Sequence, residues 1–542
     1  MNAYGMVEST LKKIPQNMKI TLIASFVIGL IGHMFCFTNT LFLHDAAGVY
    51  WETVSFADAA SGSRWLYPIY DWILNGVQLP WLDGLLTLFI YGIAAWVVCE
   101  ILSIKQQISV IFVTGFMVLS PTAIASNCYL SSAPIYSMAL LFSCMAVYAF
   151  YNWNHGCAWL FLFAMLSEGS YAAYIGFTIC LFFLRNFNAF IVNTKEQDKK
   201  LFKQHWIMLI CVIVTMAATF GIMKLLQIGS TAYMQARISA VTESGAKSYL
   251  ENIYYTIYTV ARTFLPGGSI SYMQERPVAY VFFLIAMISS CLIYLKMLIG
   301  SKIWDRKLGI LLLGIDIIAL PFAMNILRLI TDAHTLMQFG FIVPWILCIQ
   351  IFDNVSANHE IFKSKKLLRV YSWIIVLFSM ISIGNFGILA NTVYAKEAVL
   401  YETSISLTNR IVERIESTEG YVPGETPVIF VGDTREYYAP YHEGFAICDS
   451  ITGIGSEWWD TSLTYNFPLM VYIQQHLGIE MNILNDTGAI GMSTHAMSKI
   501  YDKRGHTISK EELEEKLDEM GNFPSDDCMM YIEDVLVFKL GD

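Results

Sequence analysis

Unbroken apolar runs, each close to the length of a membrane helix, recur from residue 20 to residue 390 of this chain. No other feature restricts its fold as strongly. A bilayer's hydrocarbon core is about 30 Å thick and takes roughly 20 helical residues to cross. Spans are expected at Ile20–Phe37 and near 82–103, 107–126, 132–151, 157–168, 171–184, 206–226, 278–298, 308–328, 336–352 and 370–390, about eleven in all. Composition agrees: 56 % of the 542 residues are hydrophobic and 14 % charged, against about 25 % charged in soluble domains. A cytosolic enzyme, a nucleic-acid binder and a disordered scaffold are excluded, and a net charge of -10 argues against a polyanionic partner.

The charge is divided unevenly. From Lys396 onward the chain carries 10 basic and 26 acidic residues, so this segment is near -16 and the remainder near +6. The split predicts a membrane body over 1–395 and a small acidic domain over 396–542. Short basic loops stay on the cytoplasmic side. The basic clusters are Lys12, Lys13 and Lys19; Arg185, Lys195, Lys199, Lys200 and Lys203; Lys296, Lys302, Arg306 and Lys307; and Lys363, Lys365, Lys366 and Arg369. All four share one side only if 157–184 is two short helices broken at Ser167-Glu168-Gly169-Ser170. The first run then reads as an uncleaved signal anchor with its N-terminus inside. Loops 40–80, 227–276 and 329–335 lie outside with the acidic tail. The expected fold is a polytopic all-α membrane body with a small C-terminal α/β domain outside the cell.

Within the tail, helical periodicity runs from Lys396 to Glu416. Pro427-Val428-Ile429-Phe430-Val431-Gly432 reads as a strand closed by glycine. Ser509 caps a helix opening at Lys510, and Met529 to Leu540 reads as a hairpin turning at Glu533-Asp534. Nine of the 11 cysteines sit in or beside apolar runs, without CxxC spacing, and read as small apolar filler. Cys448 and Cys528 lie in the tail, where a disulfide is open to them if that tail is extracellular.

The first outer loop holds His44, Asp45, Glu52, Asp58, Arg64 and Asp71 among many aromatics. A carboxylate just past a span can deprotonate a hydroxyl at the lipid–water boundary. Asp45 equally fits a helix cap, and His44 an interfacial neighbour. Arg64, next to Trp65, either snorkels to the interface or binds a lipid phosphate. Glu168 is an ionisable group in an apolar stretch, a functional candidate by its cost. Tyr171 and Tyr174 after it line a sugar or lipid groove or belong to an aromatic belt. Loop 227–276 contributes Arg237, Arg262 and Arg276. Its segment 248–264, with Tyr249, Tyr254, Tyr255 and Tyr258, has an aromatic face suited to lying flat on the membrane. Arg328, Asp332 and His334 form a third outer cluster, in which Arg328 either binds phosphate or pairs with Asp332. Trp458, Trp459 and Tyr465 in the tail suit sugar stacking or core packing. No GxxxxGK[ST], strand-linked GxGxxG or GxSxG pattern occurs, nor a DxD pair in the outer loops. No nucleotide-sugar enzyme, pump, metal site or cofactor is expected.

Three stretches carry a resemblance. They are His44-Asp45 followed by Ser63-Arg64-Trp65-Leu66; Glu168-Gly169-Ser170-Tyr171-Ala172-Ala173-Tyr174; and Asn391-Thr392-Val393-Tyr394 leading through Glu402 and Arg410 to Val428-Ile429-Phe430-Val431-Gly432. In these the chain resembles the bacteriophage-type serotype-converting glucosyl transferases, the type II Gtr proteins. The resemblance implies a GT-C membrane glycosyltransferase in the bacterial cytoplasmic membrane. Such enzymes move a sugar, typically glucose, from a polyprenyl-phosphate donor to a polysaccharide or glycolipid acceptor on the outer face. It implies Asp45 as the catalytic base, with Arg64 first and Arg262 or Arg328 next on the leaving phosphate; Trp65, Glu168, Tyr171 and His334 are the further substrate-binding candidates among the residues above. The alternative class is a transporter or flippase of lipid-linked glycan, for which broken helices in corresponding halves are the usual sign.

Overall fold

A computed structural model describes residues 13–39, 64–74, 79–225, 246–264, 277–329, 333–357 and 365–432, and in the tail 448, 450–451, 454–455, 473, 477–483, 499–501 and 507–541. The described residues form two compact units that meet in the chain between Asn391 and Thr392.

The first unit is helical: α1 (Gln16–Thr38), α2 (Tyr67–Leu74), α3 (Pro80–Leu102), α4 (Gln107–Leu119), α5 (Pro121–Cys128), α6 (Ala133–Asn152), α7 (Gly156–Tyr171), α8 (Ile175–Val192), α9 (Lys195–Leu225), α10 (Ala246–Phe264), α11 (Pro277–Gly300), α12 (Lys307–Met324) and α13 (Val343–Ala357). The helix α14 (Lys365–Glu416) begins here and ends in the second unit. Among the described residues nine helices are long and apolar enough to cross a membrane, or ten if the bent pair α4–α5 is one span. The chain is a multi-pass helical membrane protein. Helices α3, α6, α8 and α13 are buried on most faces, whereas α9, α11 and α12 expose apolar stripes such as Ile210-Ile213, Ile288-Leu292 and Ile315-Ile318. Such stripes suit lipid contact.

Partner order shows that α7 and α8 run in opposite directions. Along α7, Phe163 stacks on Phe142 of α6, Ser167 donates to the Ala139 carbonyl at 2.9 Å, and Tyr171 packs on Tyr136. Along α8, Thr178 meets Ser143 at 2.8 Å and Phe182 meets Tyr151. One helix therefore descends α6 while the other climbs it. The reversal lies at the 3-10 turn Ala172–Tyr174, beyond the expected break at 167–170, so Glu168 sits inside α7. Another difference is at α9, which starts at Lys195 rather than near 206. A capping box explains it: the Thr194 N–H donates to Gln197 Oε1 at 2.7 Å, and the Gln197 N–H donates back to Thr194 Oγ1 at 3.5 Å.

The basic loops gather at one end of the bundle. There Arg306 makes two 2.8 Å hydrogen bonds to the Asp198 carboxylate and donates to the Phe190 and Asn193 carbonyls at 3.1 and 2.6 Å. Asp353 accepts from the Lys105 and Gln106 amides, both at 3.0 Å, capping α4 from far along the chain. Deeper in, Asp316 of α12 contacts His205 of α9 at 2.8 Å and accepts from Asn186 of α8 at 3.0 Å.

Towards the far end several helices break. Ser120 accepts from the Ala123 amide at 3.2 Å and starts α5 at a 43° bend from α4. Pro121 suits the first turn of that helix. The others are the 172–174 turn, the end of α12 at Met324, and the 3-10 turns Thr335–Met337 and Phe339–Ile342. The sequence pattern showed only the break near Glu168.

In the second unit, the strands β1 (Pro427–Val431), β2 (Ser450–Ile451), β3 (Ile454–Gly455), β4 (Asn482–Ile483), β5 (Lys499–Tyr501) and β6 (Thr507–Ser509) precede α15 (Lys510–Leu517), β7 (Met529–Ile532) and β8 (Val535–Lys539). One sheet has the order β4-β1-β8-β7, with β1 parallel to β4 and β8, and β7 antiparallel to β8. The wholly buried β1 is central. Ile429, Val431, Leu513, Met520, Ile532 and Val537 form a core under it. Gly432 closes β1 at φ +76, and a β-carbon there would overlap the Gly541 backbone. The end of α14 is tied in by Arg414, which donates to the Pro524 and Ser525 carbonyls at 2.8 and 3.0 Å and to Asp526 at 2.7 Å. Cys448 and Cys528 are both buried.

Candidate functional site

The segment Arg64–Leu74 docks on the far end of α7. The Leu66 N–H donates to the Gly169 carbonyl at 2.9 Å. The Trp65 indole lies on the bare Cα of Gly169, where a β-carbon would overlap it. The Arg64 guanidinium sits 5.4 Å from the Tyr136 ring centroid and 5.1 Å from that of Tyr171, and these two rings are 4.6 Å apart. Guanidinium over an aromatic face gains about 0.5–2 kcal/mol. Two of the stretches singled out in sequence, Arg64-Trp65-Leu66 and Glu168-Gly169-Ser170-Tyr171, thus meet in one place.

Glu168 is buried and faces α9 rather than Arg64. Thr219 donates to its Oε2 at 2.8 Å, while Oε1 has no hydrogen-bond partner among the described residues. A buried carboxylate with an open oxygen is costly and therefore notable.

Arg262 and Arg328 converge on α10. Arg328 lies 5.2 Å over the Tyr255 ring and donates to Asn252 Oδ1 at 3.4 Å. Arg262 lies 5.6 Å over Tyr258. The two ring centroids are 6.4 Å apart, so two guanidinium groups ride on one pair of tyrosines. Leu250, Ile253, Tyr254 and Ile257 are exposed, while Thr256, Val260 and Thr263 are buried. One face of α10 is thus exposed and largely apolar, and the other is packed against the protein. His334 leads into the Thr335–Met337 turn, whose Thr335 carbonyl accepts from Thr122 Oγ1 at 2.9 Å.

His44, Asp45, Glu52, Asp58, Arg237, Arg276 and Asp332 lie outside the described residues, as do Trp458, Trp459 and Tyr465. The sequence reading passed over Asp83. It is buried in the first turn of α3, facing the Tyr70 hydroxyl. Behind Pro80-Trp81 it looked like an ordinary acid at a helix start, and only the docking of 64–74 shows that it borders the Arg64 segment. Tyr91 and Ser126 were also missed. Both sit inside apolar runs, where a single polar residue gives no signal.

The arrangement sets a guanidinium on two tyrosine rings, with the buried Asp83 bordering the same segment and Glu168 turned towards α9. A family model described as Glucosyl transferase GtrII matches residues 34–345, a stretch that includes Arg64, Asp83, Glu168, Arg262, Arg328 and His334. No curated protein and no solved structure matches the chain.

Proposed function

The chain belongs to the glucosyl transferase GtrII family, and on that premise we propose that it moves glucose from a polyprenyl phosphate to a polysaccharide or glycolipid at the outer face of the bacterial cytoplasmic membrane. Sugar transfer is the family's activity; the lipid donor, the acceptor and the sidedness are our reading. The observation that carries it is Arg64, held on Tyr136 and Tyr171 at the end of the bundle away from the basic loops. A phosphate-binding guanidinium there faces the outside if Lys and Arg mark the cytoplasm. We count the reversal at 172–174 and the bent pair α4–α5 as making eleven spans in a GT-C-like body over 1–395. That count puts the 396–542 domain outside the cell.

In the proposed reaction the Asp45 carboxylate takes the proton from an acceptor hydroxyl. The freed oxygen bonds to the anomeric carbon of the donor. The bond between that carbon and the phosphate oxygen breaks, and its electron pair leaves with the polyprenyl phosphate. Arg64, with Arg262 and Arg328 on the α10 tyrosines, stabilises the charge left on the phosphate. Trp65, Glu168, Tyr171 and His334 shape the site, and holding the two substrates together supplies much of the rate.

The test uses purified protein, polyprenyl-phosphate glucose and acceptor. Asp45→Asn should lower turnover by about 10²–10⁴-fold, the usual contribution of a general base, with thermal melting and membrane insertion unchanged. Turnover equal to wild type would remove Asp45 as the base. Movement of intact lipid across vesicles without sugar transfer would replace the reading with a flippase.

A further inference from the structure

We infer that Tyr91, Tyr174 and Ser126 form the subsite that binds hydroxyls of the transferred hexose, a deepening that rests on the donor reading above. The breaks noted at the far end converge on this spot. Tyr174 closes the 172–174 turn, and its ring lies 5.6 Å from Phe339, which opens the next turn. Tyr91 of α3 meets the same Phe339 at 6.2 Å. The α5 helix, which carries Ser126, is tied to the 335–337 turn by Thr122. A β-carbon on Gly340 would stand 2.7 Å from the Cα of Met324, where α12 ends. Irregular backbone at membrane depth persists only when it is packed in protein or lines a polar cavity. The breaks therefore gather where protein packing or a polar group can meet their backbone.

The side chains agree. The Tyr91 and Tyr174 hydroxyls lie beside each other, and Ser126, whose hydroxyl donates to the Thr122 carbonyl at 2.8 Å and keeps its oxygen as an acceptor, borders Tyr174. All three residues are buried, yet neither tyrosine hydroxyl has a hydrogen bond of good geometry to any described residue. A buried hydroxyl without a partner is destabilising and rare in native proteins. Two of them side by side call for a ligand with its own donors and acceptors. The aromatic path Tyr136–Tyr171–Tyr174, with centroid spacings of 4.6 and 6.0 Å, joins this spot to Arg64. A group bound at Arg64 by its phosphate can therefore reach the tyrosines with its sugar. Ring faces at the edge and hydroxyls within match a hexose, which presents both CH surfaces and hydroxyls.

The test compares wild type, Tyr91→Phe and Tyr174→Phe on polyprenyl-phosphate glucose and on its single-deoxy analogues. Each variant should lose about 10- to 100-fold in kcat/KM on the full glucosyl donor, the weight of one hydrogen bond to a sugar hydroxyl. Each should also lose the wild-type preference for that donor over one particular deoxy analogue, which a structural role would leave intact. Melting in detergent should stay level or rise, because phenylalanine removes an orphaned polar atom. Variants that keep wild-type kcat/KM and donor preference overturn the subsite alone. A wild type that transfers no sugar from any polyprenyl phosphate overturns the donor reading and this subsite with it.

Discussion

Gly169 and Trp65 show how much one missing methyl can decide. The indole occupies the place where any other residue would carry its β-carbon, and the Leu66–Gly169 hydrogen bond at 2.9 Å fixes the register of that contact. Gly169→Ala should therefore push the Arg64 segment off α7. Overpacking of this kind costs about 1–3 kcal/mol, read as a lower melting temperature, and transfer should fall by more than the stability loss accounts for. A variant that melts lower yet turns over normally would separate the Arg64–Trp65 docking from the chemistry. The tyrosines at 136 and 171 tell the same story. In sequence Tyr136 is one aromatic among many and Tyr171 a groove candidate; in space they form the bed of a single guanidinium.

At the scale of elements, buried polar pairs set how the helices meet at the basic end. Arg306 and Asp198 are 6 % and 1 % exposed and join the start of α9 to the start of α12. Removing one partner of a buried pair strands the other charge and costs about 3–5 kcal/mol, whereas replacing both with apolar residues is often neutral. Arg306→Leu should lower the melting temperature sharply, and Arg306→Leu with Asp198→Leu should restore most of it. Equal melting of the single and double variants would argue against the pair as the source of the effect. The sequence placed Arg306 in a solvated basic cluster, because nothing in its neighbourhood announces Asp198. Helix α9 starts ahead of its apolar run for a related reason: the hydropathy run begins late, while the Thr194–Gln197 capping box starts the helix earlier.

At the scale of the whole molecule the chain divides at Asn391 into two compact units, and the membrane orientation proposed for the second is open to direct measurement. Glu419 is exposed near the end of α14. Cys448 and Cys528 are buried, and burial pushes the Cys528 thiol up from its ordinary value, so it is little ionised at neutral pH. Glu419→Cys in intact cells should then react with a membrane-impermeant maleimide above the wild-type background. Labelling only after the cells are opened would invert the proposed topology.

Apolar run length and the placement of lysine and arginine were enough to show a multi-pass helical protein, to divide 157–184 into two antiparallel helices and to locate the strand at 427–431. Those properties depend on local composition and period, which a sequence displays directly. The tail's single turns were legible for the same reason, as with Ser509 before α15 and Glu533-Asp534 between β7 and β8. Only the tertiary structure brought Arg64 to Tyr171, set Asp83 and Glu168 apart on different helix faces, and gathered the breaks around Tyr91 and Tyr174. Each of these joins residues far apart in the chain, and such contacts depend on how whole helices pack, which local pattern does not encode.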